Sequence, residues 1–401
     1  MTAIARGLEG IVVSETRLSD VDGEQGHLII GGVPVEELAP HATFEEVLHL
    51  LWHDRFPAAD ERAALAAALV AQRDLPPETV ALVRAAAARR VPAMDALRMG
   101  AATLSALGPT TGGLQDASGL VARFPAIVAT YWRLRQGQEP VAPRADLGHA
   151  ANYLYMLSGV VPHPDVVRAL ETYLNTVVDH GMNASTFTAR VIASTRSDMV
   201  SAIVGAVGAL KGPLHGGAPG PALDMVFEIQ ARVARDGGTM ADAAERWLRD
   251  AVARGDRIMG FGHRVYKVRD PRADVLNTAA TRLFERAGDL QLYRDARCVE
   301  DVVLRVLREL KPSRHLETNV EFYTALVLHG IGLDVELFTP TFAVGRVGGW
   351  TAHVLEQAAE DRLIRPSSVY VGECGRHTPP PVVPHPPACE GGAPAAEAVP
   401  A

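Results

Sequence analysis

Three histidines stand among glycines: His180 in Asp179-His180-Gly181, His215 in Leu214-His215-Gly216-Gly217 and His263 in Gly260-Phe261-Gly262-His263-Arg264. Glycine beside a polar side chain lets a ligand approach the main chain and permits strained turns, so each is a candidate site residue at a helix terminus or loop. One such histidine alone is as often a hydrogen-bonded structural residue; three, with charge downstream, form a constellation. Arg272 in Asp270-Pro271-Arg272, Arg346 in Ala343-Val344-Gly345-Arg346 and Arg365 in Ile364-Arg365-Pro366 sit in apolar or Pro-containing surroundings. A guanidinium fork grips a carboxylate through two parallel hydrogen bonds, so together they fit a dicarboxylate substrate, while each singly is also open to a structural ion pair. A rival arrangement is Glu45, His49 and His53, spaced four apart on one helix face as metal ligands are. It lacks the glutamate of a His-Glu-x-x-His motif, reading His49-Leu50-Leu51-Trp52-His53, and its plain alternative is a solvated helix face.

These residues need a scaffold, and the composition bounds it. The chain has 401 residues, a formal net charge of −8, 48% apolar residues and only 5% aromatics. Long Ala/Leu/Val/Arg stretches favour helices over a β sandwich or barrel, so an all-α architecture of two or three domains is expected. Three dispersed cysteines, Cys298, Cys374 and Cys389, make neither a disulfide framework nor a zinc site and suit a reducing cytoplasm. The apolar run Met199–Leu210 is short of the roughly 20 residues a bilayer requires, and Arg6 and Glu9 interrupt any leader-like core, so neither membrane span nor secretion is expected. With three lysines and no basic block, the sequence carries no electrostatic footprint for nucleic acid.

Along the chain, apolar and polar residues alternate around glycine turns from Gly10 to Gly32, which reads as a small hairpin. From Phe44 the period becomes helical, with Thr43 as N-cap ahead of Glu46. Pro and Gly pairs then divide helices of ordinary length. Ser197–Leu210 is apolar nearly all round, with Ser201, Gly205 and Gly208 at small-residue spacing; it should be buried on every side, in a core or between subunits. After His377 the Pro/Ala-rich stretch 378–401 reads as a disordered tail.

Five motifs in order resemble citrate synthase and its 2-methylcitrate synthase relatives: Leu214-His215-Gly216-Gly217, Met259 to Lys267, Asp270-Pro271-Arg272-Ala273, Asn319-Val320 and Gly349 to Gln357. The resemblance runs from about Gly7 to about Ser368. It implies a mostly helical homodimer whose large domain (1–217 and 320–377) and small mobile domain (218–319) enclose the active site. It also implies an acyltransferase whose acyl group becomes alkyl on transfer: acetyl-CoA or propionyl-CoA condenses with oxaloacetate, and the thioester is hydrolysed. Acyl-CoA is then a co-substrate, with no permanent cofactor and no metal. By position His215 matches the donor to the enolate oxygen, Glu321 the base, and His263 the donor to the keto carbonyl. His180, Arg272 and Arg346 match oxaloacetate ligands, Arg365 an arginine given to the partner's site, and Lys267, Lys311 and Arg314 the charge for CoA phosphates. Ser185 could assist His180 or simply cap a helix.

Two departures stand out. The family's base is Asp in Asn-Val-Asp, whereas this chain has Asn-Val-Glu at Glu321, one methylene and about 1.5 Å longer. A misplacement near 1 Å can cost on the order of a hundredfold in rate. The residue raises an adjusted backbone, altered acyl preference, or an attenuated or inactive paralogue that binds oxaloacetate or acyl-CoA as a sensor; activity retained at a full or reduced rate is expected because the other polar positions are present. Near the amino terminus, Ile29-Ile30-Gly31-Gly32 replaces the family's Tyr-Arg-Gly-Tyr pattern.

Overall fold

The computed structural model describes residues 4–8, 10–108, 112–216, 219–288, 290–314 and 316–375. Met1–Ile364 forms one compact unit and Arg365–Ala401 another. In the latter, 365–375 is irregular, with the Tyr370 hydroxyl donating to the Glu373 carbonyl at 3.2 Å. The tail expected over 378–401, and Cys389 within it, lie outside the described residues.

The first unit opens on three antiparallel strands, β1 (Ser19–Asp22), β2 (His27–Ile30) and β3 (Val33–Pro34), in the order 1-2-3. The hairpin is present but begins later than the sequence alternation: residues 11–16 are irregular, and Ser19 pairs with Ile30 and Asp22 with His27. Its turn has a structural task. Lys267 N–H donates to the Gly23 carbonyl at 2.8 Å, and a Cβ on Gly23 would lie 2.3 Å from the Val265 carbonyl oxygen. The glycine therefore lets the hairpin dock on the loop that carries His263.

Among the described residues sixteen α-helices follow, as the composition predicts. The first seven are α1 (Val35–His41), α2 (Phe44–His53), α3 (Ala59–Val70), α4 (Pro77–Ala88), α5 (Ala93–Thr103), α6 (Leu114–Arg135) and α7 (His149–Ser158). Next come α8 (Pro164–Val177), α9 (Ala184–Ala193), α10 (Met199–Leu210), α11 (Pro219–Asp236) and α12 (Met240–Arg254). The last four are α13 (Pro271–Ala287), α14 (Gln291–Leu310), α15 (Val320–Gly330) and α16 (Phe338–Glu360). At the start of α2, Glu46 N–H donates to Thr43 Oγ1 and Thr43 N–H to Glu46 Oε2, the reciprocal cap the sequence indicated.

The long helices α6 and α16 form the centre. Val121, Phe124, Ile127, Val128 and Tyr131 of α6 and Phe338, Val344, Val347 and Trp350 of α16 are all buried, so both are wrapped on most sides. Helix α16 passes the end of α8 main chain to main chain. A Cβ on Gly349 would lie 2.1 Å from the Val178 carbonyl oxygen, and one on Gly345 3.1 Å from that of Leu174. Helix α10 packs on α9, where Gly205 leaves room for Ile192. One face of α10 is not covered within the chain: Ser201, Val204, Gly205, Gly208 and Ala209 stay partly exposed, so of the two settings expected for this helix, a core or a subunit contact, the core of this chain supplies only one side.

The rival metal arrangement resolves differently from either expectation. Glu45 and His49 are buried rather than solvated: Glu45 Oε1 accepts the His149 backbone N–H at 2.8 Å, and His49 Nδ1 lies 2.9 Å from the Arg55 carbonyl. Among the described residues no group of three His, Cys, Asp or Glu side chains is placed to hold a metal ion.

Candidate active site

Helix starts and loops deliver the site residues. Beyond α8 the chain turns through Asp179, His180 and Gly181, the last at φ +58°, a left-handed conformation suited to glycine. Asn183 then caps α9 by accepting the Thr186 N–H at 3.1 Å. His215 lies in the turn after α10, with Gly216 N–H returning to the Leu210 carbonyl. Two N-caps place Arg272 and Glu321: Asp270 opens α13 and Asn319 opens α15, whose Glu321 N–H donates to Asn319 Oδ1 at 3.0 Å.

The His263 loop is laced to the segment before α15. Gly262 N–H donates to the Glu317 carbonyl at 2.7 Å, Asn319 N–H to the Gly260 carbonyl at 3.0 Å, and Asn319 Nδ2 to the Gly262 carbonyl at 2.7 Å. These contacts bring His263 and Glu321 to one place although 58 positions separate them in the sequence. Asp270 ties the next pair: it accepts from Arg272 Nε at 3.0 Å and Nη2 at 2.8 Å, and from the Val320 N–H of α15 at 3.2 Å.

The result is a cavity of about 740 Å³ whose wall includes His180, His215, His263, Arg272, Glu321 and Arg346. Six of the ten sequence-proposed site residues therefore meet on one surface. Lys267, Lys311 and Arg314 are not on that wall, and exposed Arg365 belongs to the second unit. Arg257 and Arg264 do line it and were missed; the signal was their position flanking the glycine-rich loop Ile258 to His263.

The electrostatics suit hydrogen-bond donation by neutral rings. Burial, with Arg272 adding to it, pushes His263 down to about 4; burial and Arg346 push His215 down to about 4. Burial, Arg272 and Arg346 hold His180 far below the usual imidazole range. His263 Nδ1 accepts the backbone N–H groups of Val265 and Tyr266, each at 3.1 Å, which leaves the ring hydrogen on Nε2. His180 Nε2 lies 3.1 Å from the Tyr266 hydroxyl. Ser185 Oγ lies 2.8 Å from His215 Nε2, and receives Trp350 Nε1–H at 3.1 Å. Ser185 thus serves His215 and not His180, and the α9 cap is Asn183; a contact across 30 residues is invisible in local sequence.

The charged groups are held with equal care. Burial pushes the Glu321 carboxyl up to about 7 against the pull of Arg272, and no hydrogen bond reaches that carboxyl among the described residues. Burial also lowers Arg346 to about 10; its Nε donates to the Val177 carbonyl at 2.5 Å, leaving its terminal nitrogens for a ligand. Burial opposes the charge on Arg272, but Asp270 outweighs it and raises the guanidinium.

A family model described as citrate synthase, C-terminal domain, matches residues 7–367. The chain belongs to the citrate synthase family. It is 40% identical over 379 residues to the citrate synthase of Haloferax volcanii, covering 92% of this chain and 96% of that one. It is 38% identical over 380 residues to the 2-methylcitrate synthase of Mycobacterium tuberculosis, covering 94% and 92%. The solved citrate synthase of Thermoplasma acidophilum, a ternary complex with carboxymethyl coenzyme A and oxaloacetate, superposes with a TM-score of 0.84 at 30% identity, over 95% of this chain and 99% of that one. The mostly helical fold is thus that of the citrate synthase family, which supports an enzyme of acyl-CoA condensation with oxaloacetate.

Proposed function

We propose that this protein condenses acetyl-CoA or propionyl-CoA with oxaloacetate and hydrolyses the resulting thioester, releasing citrate or 2-methylcitrate and CoA. The observation that carries the reading is a carboxyl with its pKa near 7, Glu321, on one cavity wall with three neutral imidazoles and two buried arginines. Glu321, ionised, takes a proton from the carbon next to the thioester carbonyl, while His215 donates a hydrogen bond to that carbonyl oxygen as it becomes enolate. The new carbon–carbon bond forms at the keto carbon of oxaloacetate, and His263 Nε2–H stabilises the alkoxide that develops there. Arg272, Arg346 and His180 hold the carboxylates, and water then cleaves the thioester.

In the same reading, residues 218–319 form a small mobile domain against the rest, Arg365 enters a partner subunit's site, and Lys267, Lys311 and Arg314 join Arg257 and Arg264 in meeting CoA phosphates. The partly exposed small-residue face of α10 suits a helix of a second copy. A soluble cytoplasmic homodimer of the tricarboxylic acid cycle follows as part of the proposal; no helix among the described residues is long and apolar enough to cross a membrane. The sensor alternative prompted by Glu321 gains no support from the comparisons, whose relatives are named citrate synthase and 2-methylcitrate synthase.

The test is thiol release by the purified protein with oxaloacetate and each acyl-CoA, beside Glu321→Gln. Oxaloacetate-dependent release, reduced on the order of a thousandfold in the variant, is the expected result. The ratio of the two rates separates citrate from 2-methylcitrate formation. No release with either thioester from a protein that binds oxaloacetate would refute the proposal.

A further inference from the structure

Behind His180 lies a run of fully buried polar groups that the proposed chemistry does not use. Asp179, His353 and Arg190 are each 0% exposed. Asp179 Oδ2 accepts from Ser19 Oγ at 2.5 Å, and the same hydroxyl oxygen accepts the Gly181 N–H at 2.8 Å. Asp179 Oδ1 lies 3.1 Å from His353 Nε2, and His353 Nδ1 lies 3.2 Å from Arg190 Nη1. Arginine has no acceptor, so Nδ1 must accept and the ring hydrogen must sit on Nε2, aimed at Asp179. Arg190 continues outward: Nε donates to Gln357 Oε1 at 2.9 Å, Nη1 to Glu356 Oε2 at 2.5 Å and Nη2 to Ser14 Oγ at 2.6 Å. Glu356 in turn accepts the Arg17 N–H at 3.0 Å.

We propose that Ser19, Asp179, His353 and Arg190 form a positioning relay that fixes the His180 loop for oxaloacetate. The donors on both sides of Asp179 pin residues 179–181 between β1 and α16, so His180 presents its ring at one setting. The acidic end of the relay also faces the substrate arginine. Asp179 and Arg346 form no ion pair within 4 Å, yet each charge favours the other; the guanidinium is biased without losing the N–H groups a carboxylate would take. At its outer end the relay anchors Ser14 and Arg17, directly after Gly10, Ile11 and Val13, which line the cavity. One chain of contacts, buried at Asp179, His353 and Arg190, therefore ties the amino-terminal strap to the oxaloacetate end of the site. None of its members except through His180 and Arg346 touches the ligand space, which makes them positioning and not catalytic residues.

The inference rests on the proposed oxaloacetate site, and its test separates the two. Oxaloacetate binding is measured by calorimetry, and Michaelis constants for both substrates by thiol release, for wild type, His353→Leu, His353→Gln and Ser19→Ala. Leucine leaves Asp179 short of a buried donor; glutamine restores both a donor and an acceptor. The expected result is oxaloacetate binding about tenfold or more weaker in the leucine variant, recovery toward wild type in the glutamine variant, and an acyl-CoA constant altered far less. Ser19→Ala removes one donor at a partly exposed strand and is expected to weaken oxaloacetate binding in the same selective way, which keeps the test available if His353→Leu does not fold. A folded leucine or alanine variant that binds oxaloacetate as wild type does would overturn the relay. Wild type that binds none would instead overturn the site on which the relay rests.

Discussion

Glu321 is a carboxylic acid held near neutrality by its surroundings, and that has a measurable sign. Burial raises it from the ordinary 4.5 to about 7, so below 7 the free enzyme carries mostly a protonated carboxyl, which cannot act as a base. The acyl-CoA kcat/KM should therefore rise with pH, with a midpoint near 7, and level off above it; a profile flat from pH 6 to 8 would refute Glu321 as the base. His215 and His263, both pushed down to about 4, stay neutral throughout that window and add no second limb. At this scale the sequence was informative where residue type and flanking glycines coincided, as at His180, His215 and His263. It was silent where meaning came from distant partners. Ser185 meets His215 only because α9 and α10 pack, and Glu45 turns inward to the His149 N–H of α7 as His49 turns to the Arg55 carbonyl.

At the element scale, α8 carries a burden that its sequence does not announce. Glu171, on its buried face, is raised to about 7 by burial, against the pull of Arg168 at 3.2 Å and with a smaller push from Glu45 and Glu46. Unfolded, the same side chain titrates near 4.5, so between 4.5 and 7 the folded state holds the extra proton and stability falls as pH rises. Glu171→Gln cannot ionise; its melting temperature should exceed wild type at pH 8, by up to about 3 kcal/mol in stability, and match it near pH 5. A gap that does not widen with pH would count against this account. Element types were readable from period and caps, as Thr43 with Glu46 shows, because both signals are local. The start of the hairpin was not, since residues 11–16 alternate as a strand would but are irregular, and pairing with β2 begins only at Ser19.

For the whole molecule, the proposed division at 218–319 implies motion, and the proposed interface implies a second copy. Small-angle scattering reads both: the mass should be twice the 42.8 kDa of one chain, and oxaloacetate should contract the particle and lower its protease sensitivity. A single-chain mass would remove Arg365 from the site, and an unchanged profile and digestion would remove closure. The helical class was legible from composition, and the family from motif order, because both are properties of the chain read end to end. The meeting of six residues on one cavity wall was expected only through the family resemblance, because no local pattern encodes loops laced together across the fold.

Gly349 sets a gauge. Its Cα faces the Val178 carbonyl with no room for a methyl group, so the segment leading to His180 and the helix of Arg346 meet here main chain to main chain. Side chains can rotate aside for a larger guest, but two backbones in contact cannot. The close approach of these two elements thus turns on a residue that has no side chain and does not line the cavity.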